Sequence, residues 1–573
     1  MTAHALPVAA VASDSDRNPE TYPAMFQATA RRVPDRAALR TPGDQVHLTW
    51  AEYACAVERA AGALAGLGVE HGDRVALLSR NRPELAIADV AVMHLGASTV
   101  ALYVASPAST IEQVLRDCAP RALVVEHGLL ARIDRVAHDV PHVVVLESLG
   151  ALPAPPRFSF EDAWRSVSDQ DLVAVLYTSG TTGLLKGVEW RHREAVATMR
   201  RFDVLQPEPD GICDVSVGPF AHLAERGAGH WRSLLRGSTR TFCADPTELG
   251  PTLLDTRPSY LFGPPRLWQN VKAKLDSTLD EAERGALDRG IARVRAGDIA
   301  ALSEDDEEAL AMLRARVGLD RLDRGVTAAA PCPRAVLEYY HGLGVGFNEF
   351  YGMTETGAAT MTRPGIADLG TVGVPVPGYE IRLASDGEVL VRTDSAAIGY
   401  RNQPDETAAT FAPDGWIHTG DIATLDDDRR LRIIDRKKEL LIPDHGHNIA
   451  PGQIESELKG ACPRIGHVCV VGDRRPHLAA LIVLEPAGLA DDHAQANVAQ
   501  AIAQVNATRD PRERIESHAI LPDPWLPGDE LTETLKLRRH RIIDKHSDTI
   551  ARLYDRDDAS TDDLAGIQSK HGS

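Results

Sequence analysis

The sequence has no excess of positive charge. Its 62 Lys and Arg residues stand against 82 Asp and Glu, which gives a formal net charge of −20. Proteins that bind nucleic acids present a broad basic surface to the phosphate backbone, so this balance argues against a nucleic-acid partner. Small anionic ligands are not excluded, because they need only a local group of backbone amides and cationic side chains.

Cysteines and long apolar runs are also scarce. The seven cysteines are odd in number, scattered and without the spacing of metal ligands, which favours a reduced compartment over a disulfide framework. The N-terminus lacks the basic-then-apolar pattern of a signal peptide. The most apolar region, around residues 90–105, contains His94 and is too short to span a bilayer. We therefore expect a cytoplasmic protein with at most peripheral membrane association.

The chain is too long for one hydrophobic core, since it has 573 residues. Residues 1–21 are small and polar, residues 556–573 are rich in Asp, Ser and Gly, and both are predicted to be disordered tails. Residues 22–434 are predicted to form a large N-terminal domain. A smaller α+β domain is predicted for residues 435–555, where the charge rises sharply.

Strand and helix patterns alternate in the first third of the chain. This alternation predicts a parallel sheet with helices on its faces. Thr49 and Glu52 have the spacing of a capping box at the start of a helix that ends near Leu67. The predicted strands are 74–80, 98–103, 122–126 and 171–180, and helices are predicted at 83–95 and 109–117.

Two later regions follow other patterns. Residues 275–325 are dense in charge, with Leu and Ala at helical spacing, and predict an exposed helical hairpin over the core. Residues 370–434 predict short strands in an all-β section, with turns at Asp386-Gly387 and Asp414-Gly415. The expected fold class is α/β: parallel-sheet α/β subdomains plus a β-rich section, followed by the small C-terminal domain.

A loop rich in glycine and hydroxyl groups follows the strand at 171–180. It reads YTSGTTGLLKGV at 177–188, so that two glycines allow close backbone approach to an anion while hydroxyls and a lysine add donors. The spacing differs from that of a Walker A loop, which disfavours a P-loop kinase or GTPase; the bland alternative is a surface turn. The predicted phosphate contacts are Thr178, Ser179, Gly180, Thr181, Thr182, Gly183 and Lys186.

This loop resembles the phosphate-binding signature of the adenylate-forming superfamily, which includes acyl-CoA synthetases, luciferases and adenylation domains of peptide synthetases. Members usually have proline where this chain has Leu185. The resemblance extends from about Tyr22 to Ile550, with the major motifs in order. It implies an ATP site in the large domain and a mobile C-terminal domain that hinges at Asp435.

The segment NEFYGMTETG, at residues 348–357, resembles a second signature of the superfamily. The resemblance implies that Tyr351 stacks on adenine, that Thr354 contacts the α-phosphate and that Glu355 binds Mg²⁺, a hard cation that prefers carboxylate oxygen. The alternative for Glu355 is a plain helix-start residue. The same resemblance, with AAAPCP at residues 328–333 on the other face of adenine, adds Asn348, Gly352, Ala329, Ala330 and Pro331 to the ATP site.

Two further motifs lie towards the C-terminus. The segment 415–439 resembles the superfamily's ribose-binding motif, which implies that Asp421 accepts hydrogen bonds from the ribose hydroxyls and that Ile433 and Arg436 contact the nucleotide. The segment 530–542 resembles the catalytic-lysine motif and implies that role for Lys536. A turn carboxylate and surface cations are the structural alternatives.

The segments PFAHLAERG (219–227) and FGPPRLWQNVKAKL (262–275) resemble elements of the long-chain and bubblegum-type acyl-CoA synthetases. They imply that His222 lies between the ATP site and the acyl tunnel and takes part in catalysis. The alternative is a core histidine that caps a helix. The alternative for Glu225 and Arg226 is that they simply pair with each other.

The resemblance implies a two-step ligase that uses ATP, Mg²⁺ and coenzyme A. A bulky hydrophobic carboxylic acid would form an acyl-adenylate and pyrophosphate, and a thiol would then displace AMP. The predicted catalytic residues are Lys536, His222, Thr354 and Glu355. The loop at 440–448 departs from the family, since Pro443-Asp444-His445-Gly446-His447 replaces small residues. An acyl-AMP ligase that serves a carrier-protein pantetheine and a degenerate adenylate-binding member therefore remain alternatives.

Overall fold

The computed structural model describes residues 20–179, 185–205, 209–297, 302–444, 447–485, 493–532 and 534–555. The chain divides into two compact units, Met1–Ile434 and Asp435–Ser573. The segments 1–19 and 556–573 of the predicted tails lie outside the described residues. No described helix combines the length and the apolar character that crossing a bilayer requires.

The described helices of the two units are α1 Tyr22–Arg32, α2 Trp50–Gly66, α3 Pro83–His94, α4 Ala108–Cys118, α5 Leu130–Ile133, α6 Phe160–Arg165, α7 His192–Leu205, α8 Arg232–Arg236, α9 Leu249–Thr256, α10 Pro265–Asp276, α11 Glu281–Arg295, α12 Glu304–Arg316, α13 Arg334–Gly342, α14 Pro404–Thr410, α15 Pro451–Ala461, α16 Ala494–Asn506, α17 Arg539–Lys545 and α18 Ser547–Tyr554. A π-helical turn, Glu225–Trp231, precedes α8.

The strands are β1 Ala37–Arg40, β2 His47–Thr49, β3 Arg74–Leu78, β4 Ser98–Ala101, β5 Ala122–Val125, β6 His142–Val145, β7 Leu172–Ser179, β8 Leu185–Arg191, β9 Cys213–Ser216, β10 Thr239–Phe242, β11 Tyr260–Phe262, β12 Arg324–Thr327, β13 Phe347–Met353, β14 Gly357–Met361, β15 Val374–Pro375, β16 Glu380–Leu383, β17 Glu388–Arg392, β18 Gly399–Tyr400, β19 Ile417–Leu425, β20 Leu431–Arg436, β21 Ile465–Val471, β22 Leu478–Leu484 and β23 Ile515–Leu521.

A seven-stranded sheet in the order β18-β8-β7-β4-β3-β5-β6 forms the first layer of the larger unit. Strands β3 to β7 are parallel, and β8 and β18 add an antiparallel edge. The parallel sheet is therefore confirmed. Helix α2 begins with the predicted capping box, since the Thr49 hydroxyl and the Glu52 carboxylate each accept an amide hydrogen bond of the other residue.

A five-stranded sheet, β11-β12-β13-β14-β15, has its own hydrophobic core with α10 to α13. Helices α11 and α12 are the predicted hairpin, and ion pairs such as Arg289–Asp306 link its two helices. Helix α11 lies close to α13, because a Cβ added at Gly290 would be 2.3 Å from the Gly342 carbonyl oxygen. The loops after the parallel strands β12 and β13 face the same edge of this sheet.

The section from 370 to 434 contains a four-stranded antiparallel sheet, β16-β17-β19-β20. The section is β-rich, but the expectation of an all-β section is wrong, because α14 interrupts it. Pro404 at the first helical turn, followed by Asp405 and Glu406, is a favourable helix start that the strand pattern concealed.

The smaller unit contains the three-stranded sheet β21-β22-β23. Strand β22 is buried along its whole length, and its residues alternate between two cores. Leu478, Ala480 and Ile482 pack with α15 and α16 on one face. Ala479 and Leu481 pack with α17 and α18 on the other. Helices cover both faces of this sheet, which explains why β22 is uniformly apolar.

Candidate active site

The β7–β8 hairpin carries the predicted phosphate loop. Thr178 pairs with Lys186 across the hairpin, and the backbone of Ser179 ends β7. Gly180, Thr181, Thr182 and Gly183 lie outside the described residues. The hairpin needs a glycine at Gly187, because a Cβ there would lie 2.9 Å from the ring of Tyr177.

Lys186 extends from β8 towards α14. Its Nζ donates a hydrogen bond to Glu406 Oε2 at 2.5 Å. The same ammonium lies 4.6 Å from the centroid of the Tyr400 ring, within the range of a cation–π interaction. The candidate phosphate-binding lysine thus has an anionic and an aromatic neighbour.

Tyr400 also contacts the candidate metal ligand. Its hydroxyl donates to Glu355 Oε1 at 2.7 Å, and the amide of Ala397 donates to the Glu355 carbonyl at 2.9 Å. Burial, reinforced by the Glu355 carboxylate, raises the pKa of Tyr400 well above its usual range, so the hydroxyl keeps its proton and remains a donor. Lys186, Tyr400 and Glu355 form a continuous row of contacts.

The tight β13–β14 hairpin sets the position of Thr354 and Glu355. Gly352 allows the two strands to approach, because a Cβ there would lie 1.9 Å from the Gly357 carbonyl oxygen. The indole of Trp190, on β8, donates to the Thr354 carbonyl at 2.9 Å. The hairpin is therefore joined to the strand that carries Lys186.

The predicted adenine and ribose residues meet at the base of this hairpin. The Tyr351 hydroxyl donates to Asp421 Oδ2 at 2.8 Å, and both side chains are buried. Ile433 packs against the same hydrophobic cluster as Tyr351. The structure thus brings together three residues that are widely separated in sequence.

Ala329, Ala330 and Pro331 form an exposed loop that follows β12. Ala329 has a positive φ of 73°, so the loop turns sharply before α13. Asn348 lies beside this region on β13, where its amide donates to the Thr362 carbonyl at 2.9 Å. That hydrogen bond links Asn348 to the residue that follows β14 and so helps to hold the sheet together.

Glu349, next to Asn348, is a buried carboxyl group that the sequence motifs did not single out. Burial raises its pKa to about 8, although a hydrogen bond from the Cys332 amide and the charge of Arg432 both act to lower it. The group is therefore largely protonated near neutral pH and can donate a hydrogen bond as well as accept one. It lies at the junction of β13 and the 329–331 loop.

His222 follows β9, and its Nδ1 accepts the amide hydrogen of Ala224 at 3.2 Å. The alternative in which Glu225 pairs with Arg226 is wrong. Glu225 accepts hydrogen bonds from Arg240 and from Ser216, each at 2.6 Å, whereas Arg226 pairs with Asp89 on α3. The π-helical turn directs the two adjacent side chains to different buried partners.

Arg436 and Lys536 belong to the smaller unit. Arg436 is exposed and follows Asp435, whose Oδ2 accepts the amide hydrogen of Gly452 at 2.7 Å. Lys536 is exposed on a tight loop, in which its amide donates to the Thr532 hydroxyl at 3.0 Å.

The loop at 440–448, whose sequence departs from the family pattern, lies in the smaller unit as well. The Asp444 amide donates to the Arg475 carbonyl at 3.0 Å, which fixes the loop beside the β21–β22 turn. His447 has its Nε2 3.6 Å from Glu513 Oε1. His445 lies outside the described residues.

Among the described residues, no group of three or more His, Cys, Asp and Glu side chains is arranged to hold a metal. The single carboxylate of Glu355 nevertheless fits Mg²⁺, because this ion is commonly held by one or two carboxylates together with substrate phosphates and water. The hydroxyl of Tyr400 fixes one Glu355 oxygen, and hard oxygen donors suit the ion. The residues present are therefore compatible with a metal that arrives with the nucleotide.

Family profiles match both units of the chain. The AMP-binding enzyme family matches residues 26–401, and the AMP-binding enzyme C-terminal domain matches residues 438–558. This chain belongs to the AMP-binding enzymes. The adenylate-forming resemblance inferred from the motifs is thereby confirmed.

Relatives support the same assignment. The fadD11 protein of Mycobacterium tuberculosis (strain ATCC 25618 / H37Rv) is 36% identical over 450 residues, covering 72% of this chain and 79% of fadD11. The long-chain-fatty-acid–CoA ligase ACSBG2 of Gallus gallus is 27% identical over 623 residues, covering 94% of this chain and 81% of the relative. The bubblegum-type resemblance of the 219–227 and 262–275 segments agrees with the second relative.

Solved structures confirm the predicted fold class. The adenylation domain of a carboxylate reductase from Mycobacterium chelonae superposes with a TM-score of 0.77 at 21% identity, covering 94% of this chain and 92% of that domain.

The sequence motifs of this AMP-binding enzyme do not point to Tyr400, Glu406 or Trp190. Tyr400 and Glu406 belong to the segment GYRNQPDET, residues 399–407, which was read only as part of a β section. A Gly-Tyr pair followed by a proline helix start was the available signal. The proximity of Tyr400 to Lys186 depends on the pairing of β18 with β8, which the sequence does not show.

Proposed function

We propose that this chain is an AMP-forming acyl-CoA synthetase that activates a fatty or other bulky hydrophobic acid. The acid and ATP give an acyl-adenylate and pyrophosphate, and the thiol of coenzyme A then displaces AMP to give the thioester. The observation that carries the proposal is the row of contacts from Lys186 through Tyr400 to Glu355, beside the Tyr351–Asp421 pair. Family membership and relatives named fatty-acid–CoA ligases support it.

The nucleotide would be bound by residues of three elements. The β7–β8 loop and Lys186 are assigned to the phosphates, the β13–β14 hairpin with Tyr351 and Thr354 to adenine and the α-phosphate, and Asp421 to the ribose. The Asp421 carboxylate already accepts a hydrogen bond from Tyr351 at 2.8 Å, which orients it for a vicinal diol.

The first step is an in-line displacement between two anions, so electrostatic stabilisation dominates its barrier. Lys186 neutralises phosphate charge, and Lys536 is assigned the same task at the carboxylate and the α-phosphate. Glu355 would hold Mg²⁺, which supplies further charge neutralisation when bound. His222 is assigned to the boundary between the nucleotide and acyl sites.

The second candidate is a ligase that transfers the acyl group to a carrier-protein pantetheine instead of to free coenzyme A, because the sequence of the 440–448 loop departs from the family pattern. In this chain Asp444 is tied to the β21–β22 turn and His447 lies near Glu513. The described parts of this loop thus have contacts of their own within the smaller unit.

Pyrophosphate release from ATP, measured across a panel of carboxylic acids with and without coenzyme A, tests the proposal. Acid-dependent release with formation of acyl-CoA is the expected result. Acid-dependent release without thioester would favour the carrier-protein ligase. A protein that binds a preformed acyl-adenylate but releases no pyrophosphate with any acid would contradict both candidates.

A further inference from the structure

The ammonium of Lys186 has an anionic partner within the protein. The Lys186 side chain is only 16% exposed, whereas the Glu406 side chain that accepts its hydrogen bond is 46% exposed. Ion pairs with such an exposed partner are screened by water and contribute little to stability. The Glu406 carboxylate is therefore easy to displace by a stronger anion.

Tyr400, by contrast, is fixed from several sides. Its hydroxyl donates to Glu355, the amide of the next residue, Arg401, donates to the Gly187 carbonyl at 2.8 Å, and Gln403 Nε2 donates to the Leu185 carbonyl at 2.8 Å. The backbone that carries Tyr400 is thus bound to β8 on both sides of Lys186. These contacts hold the Tyr400 ring at the lysine, whereas the Glu406 side chain is 46% exposed to solvent.

We propose that Glu406 occupies on Lys186 the position that a phosphate oxygen of ATP takes, and that nucleotide binding exchanges the carboxylate for phosphate while Tyr400 holds the ammonium in place. This inference rests on the proposed role of Lys186 as a phosphate ligand. A triphosphate carries several negative charges, whereas Glu406 carries one, so the triphosphate displaces the carboxylate from Lys186. Every anion that binds at Lys186 has to displace the same carboxylate, so Glu406 lowers the affinity of the site for each of them.

The test is ATP binding to the full-length protein, measured by isothermal titration calorimetry without acid or coenzyme A. Glu406→Gln keeps the shape of the side chain and removes its charge. We expect this variant to bind ATP about fivefold more tightly, the scale of one partly exposed ion pair. Asp405→Asn is the matched control, because Asp405 is exposed in the same helical turn and its loss changes the net charge equally.

An Asp405→Asn variant that tightens binding as much as Glu406→Gln would overturn the exchange, since the effect would then come from net charge alone. Unchanged or weaker ATP binding by Glu406→Gln would overturn it as well. Inorganic phosphate, titrated as a competitor, should gain affinity in Glu406→Gln by at least the same factor as ATP.

A variant of the lysine separates this inference from the proposed function. Lys186→Met should weaken ATP binding, and adding Glu406→Gln in that background should have no further effect. Wild-type ATP affinity in Lys186→Met would contradict the phosphate-binding role of Lys186 itself. Weakened binding in Lys186→Met, together with no gain of ATP affinity when Glu406→Gln is made alone in the wild-type protein, would contradict only the exchange.

Tyr400 is a positioning residue in this scheme. Tyr400→Phe keeps the ring face and should bind metal-free ATP like the wild type, whereas Tyr400→Leu should bind it several-fold more weakly. Equal binding by both variants would show that the ring does not position the ammonium. Thermal unfolding of each variant verifies that the fold is intact.

Discussion

The carboxyl group of Glu349, on β13, is largely buried from solvent. Its pKa is about 8 in the folded protein, against an ordinary value of 4.5, because burial penalises the charged form. The folded protein therefore holds a proton that the unfolded chain releases above pH 4.5. Stability conferred by this group is complete below that value and is lost as the pH rises through about 8.

Replacement of Glu349 by glutamine tests this linkage. We expect the decline in the free energy of unfolding between pH 4.5 and about 8 to be shallower in Glu349→Gln than in the wild type. Urea unfolding at several pH values across that window measures it. Glu70→Gln, at an exposed position, serves as the control and should keep the wild-type slope. An identical slope in Glu349→Gln would show that this carboxyl does not carry the raised pKa.

At the scale of elements, the β13–β14 hairpin depends on one close backbone approach. A methyl group at Gly352 would meet the Gly357 carbonyl oxygen at 1.9 Å, so the two strands must separate. We expect Gly352→Ala to lower the free energy of unfolding by about 2–3 kcal/mol and to weaken ATP binding, because Thr354 and Glu355 move with the hairpin. Chemical denaturation and calorimetry measure the two effects.

The control for this substitution is Gly250→Ala in α9. Nothing lies within 4 Å of a Cβ at Gly250, and alanine favours a helix, so the variant should be as stable as the wild type or slightly more stable. A Gly352→Ala variant with wild-type stability would show that the hairpin can open at no cost.

The sequence predicted those helices and strands whose signals lie within a few consecutive residues. The capping box placed the start of α2, and the apolar runs placed β3, β4 and β5 within a few residues. The short helix α14 was missed because turns and short strands surround it. A seven-residue helix starting at Pro404 gives too little periodicity to stand out from such a background.

At the scale of the larger unit, a buried charged cluster joins distant parts of the chain. Asp89 on α3 pairs with Arg226, 137 residues away, and His230 Nε2 donates a hydrogen bond to the second oxygen of the same carboxylate. All three side chains are fully buried. Burial alone would raise the pKa of Asp89, but Arg226 and His230 hold it below its ordinary value, so the carboxylate stays charged.

Removal of the Asp89 charge should be costly. Asp89→Asn leaves the buried guanidinium of Arg226 without its counter-charge, and we expect a loss of about 3–5 kcal/mol in the free energy of unfolding. Equilibrium denaturation measures this loss. Asp134→Asn, at an exposed position, should change stability by less than about 0.5 kcal/mol. Similar small effects of both substitutions would show that the cluster does not depend on the carboxylate.

This cluster marks the limit of what the sequence could predict. Motif order indicated the family and most of the candidate nucleotide residues, because those residues lie in short, recognisable strings. The partners of Glu225 and Arg226 could not be predicted, since they depend on the π-helical turn and on α3 and β10, which come together only in the folded unit. The contact between Tyr400 and Lys186 was hidden for the same reason.

The hydrogen bond from Trp190 to the Thr354 carbonyl gives the protein an intrinsic optical probe. The chain has only seven tryptophans, and this one is buried with its indole N–H bonded to the backbone of a residue assigned to the nucleotide. Indole emission depends on the local electric field and on that hydrogen bond. Occupancy of the nucleotide site can therefore be followed by the fluorescence of Trp190 in the unlabelled protein. Trp190→Phe, which keeps the other six tryptophans, is the reference that should lose this signal.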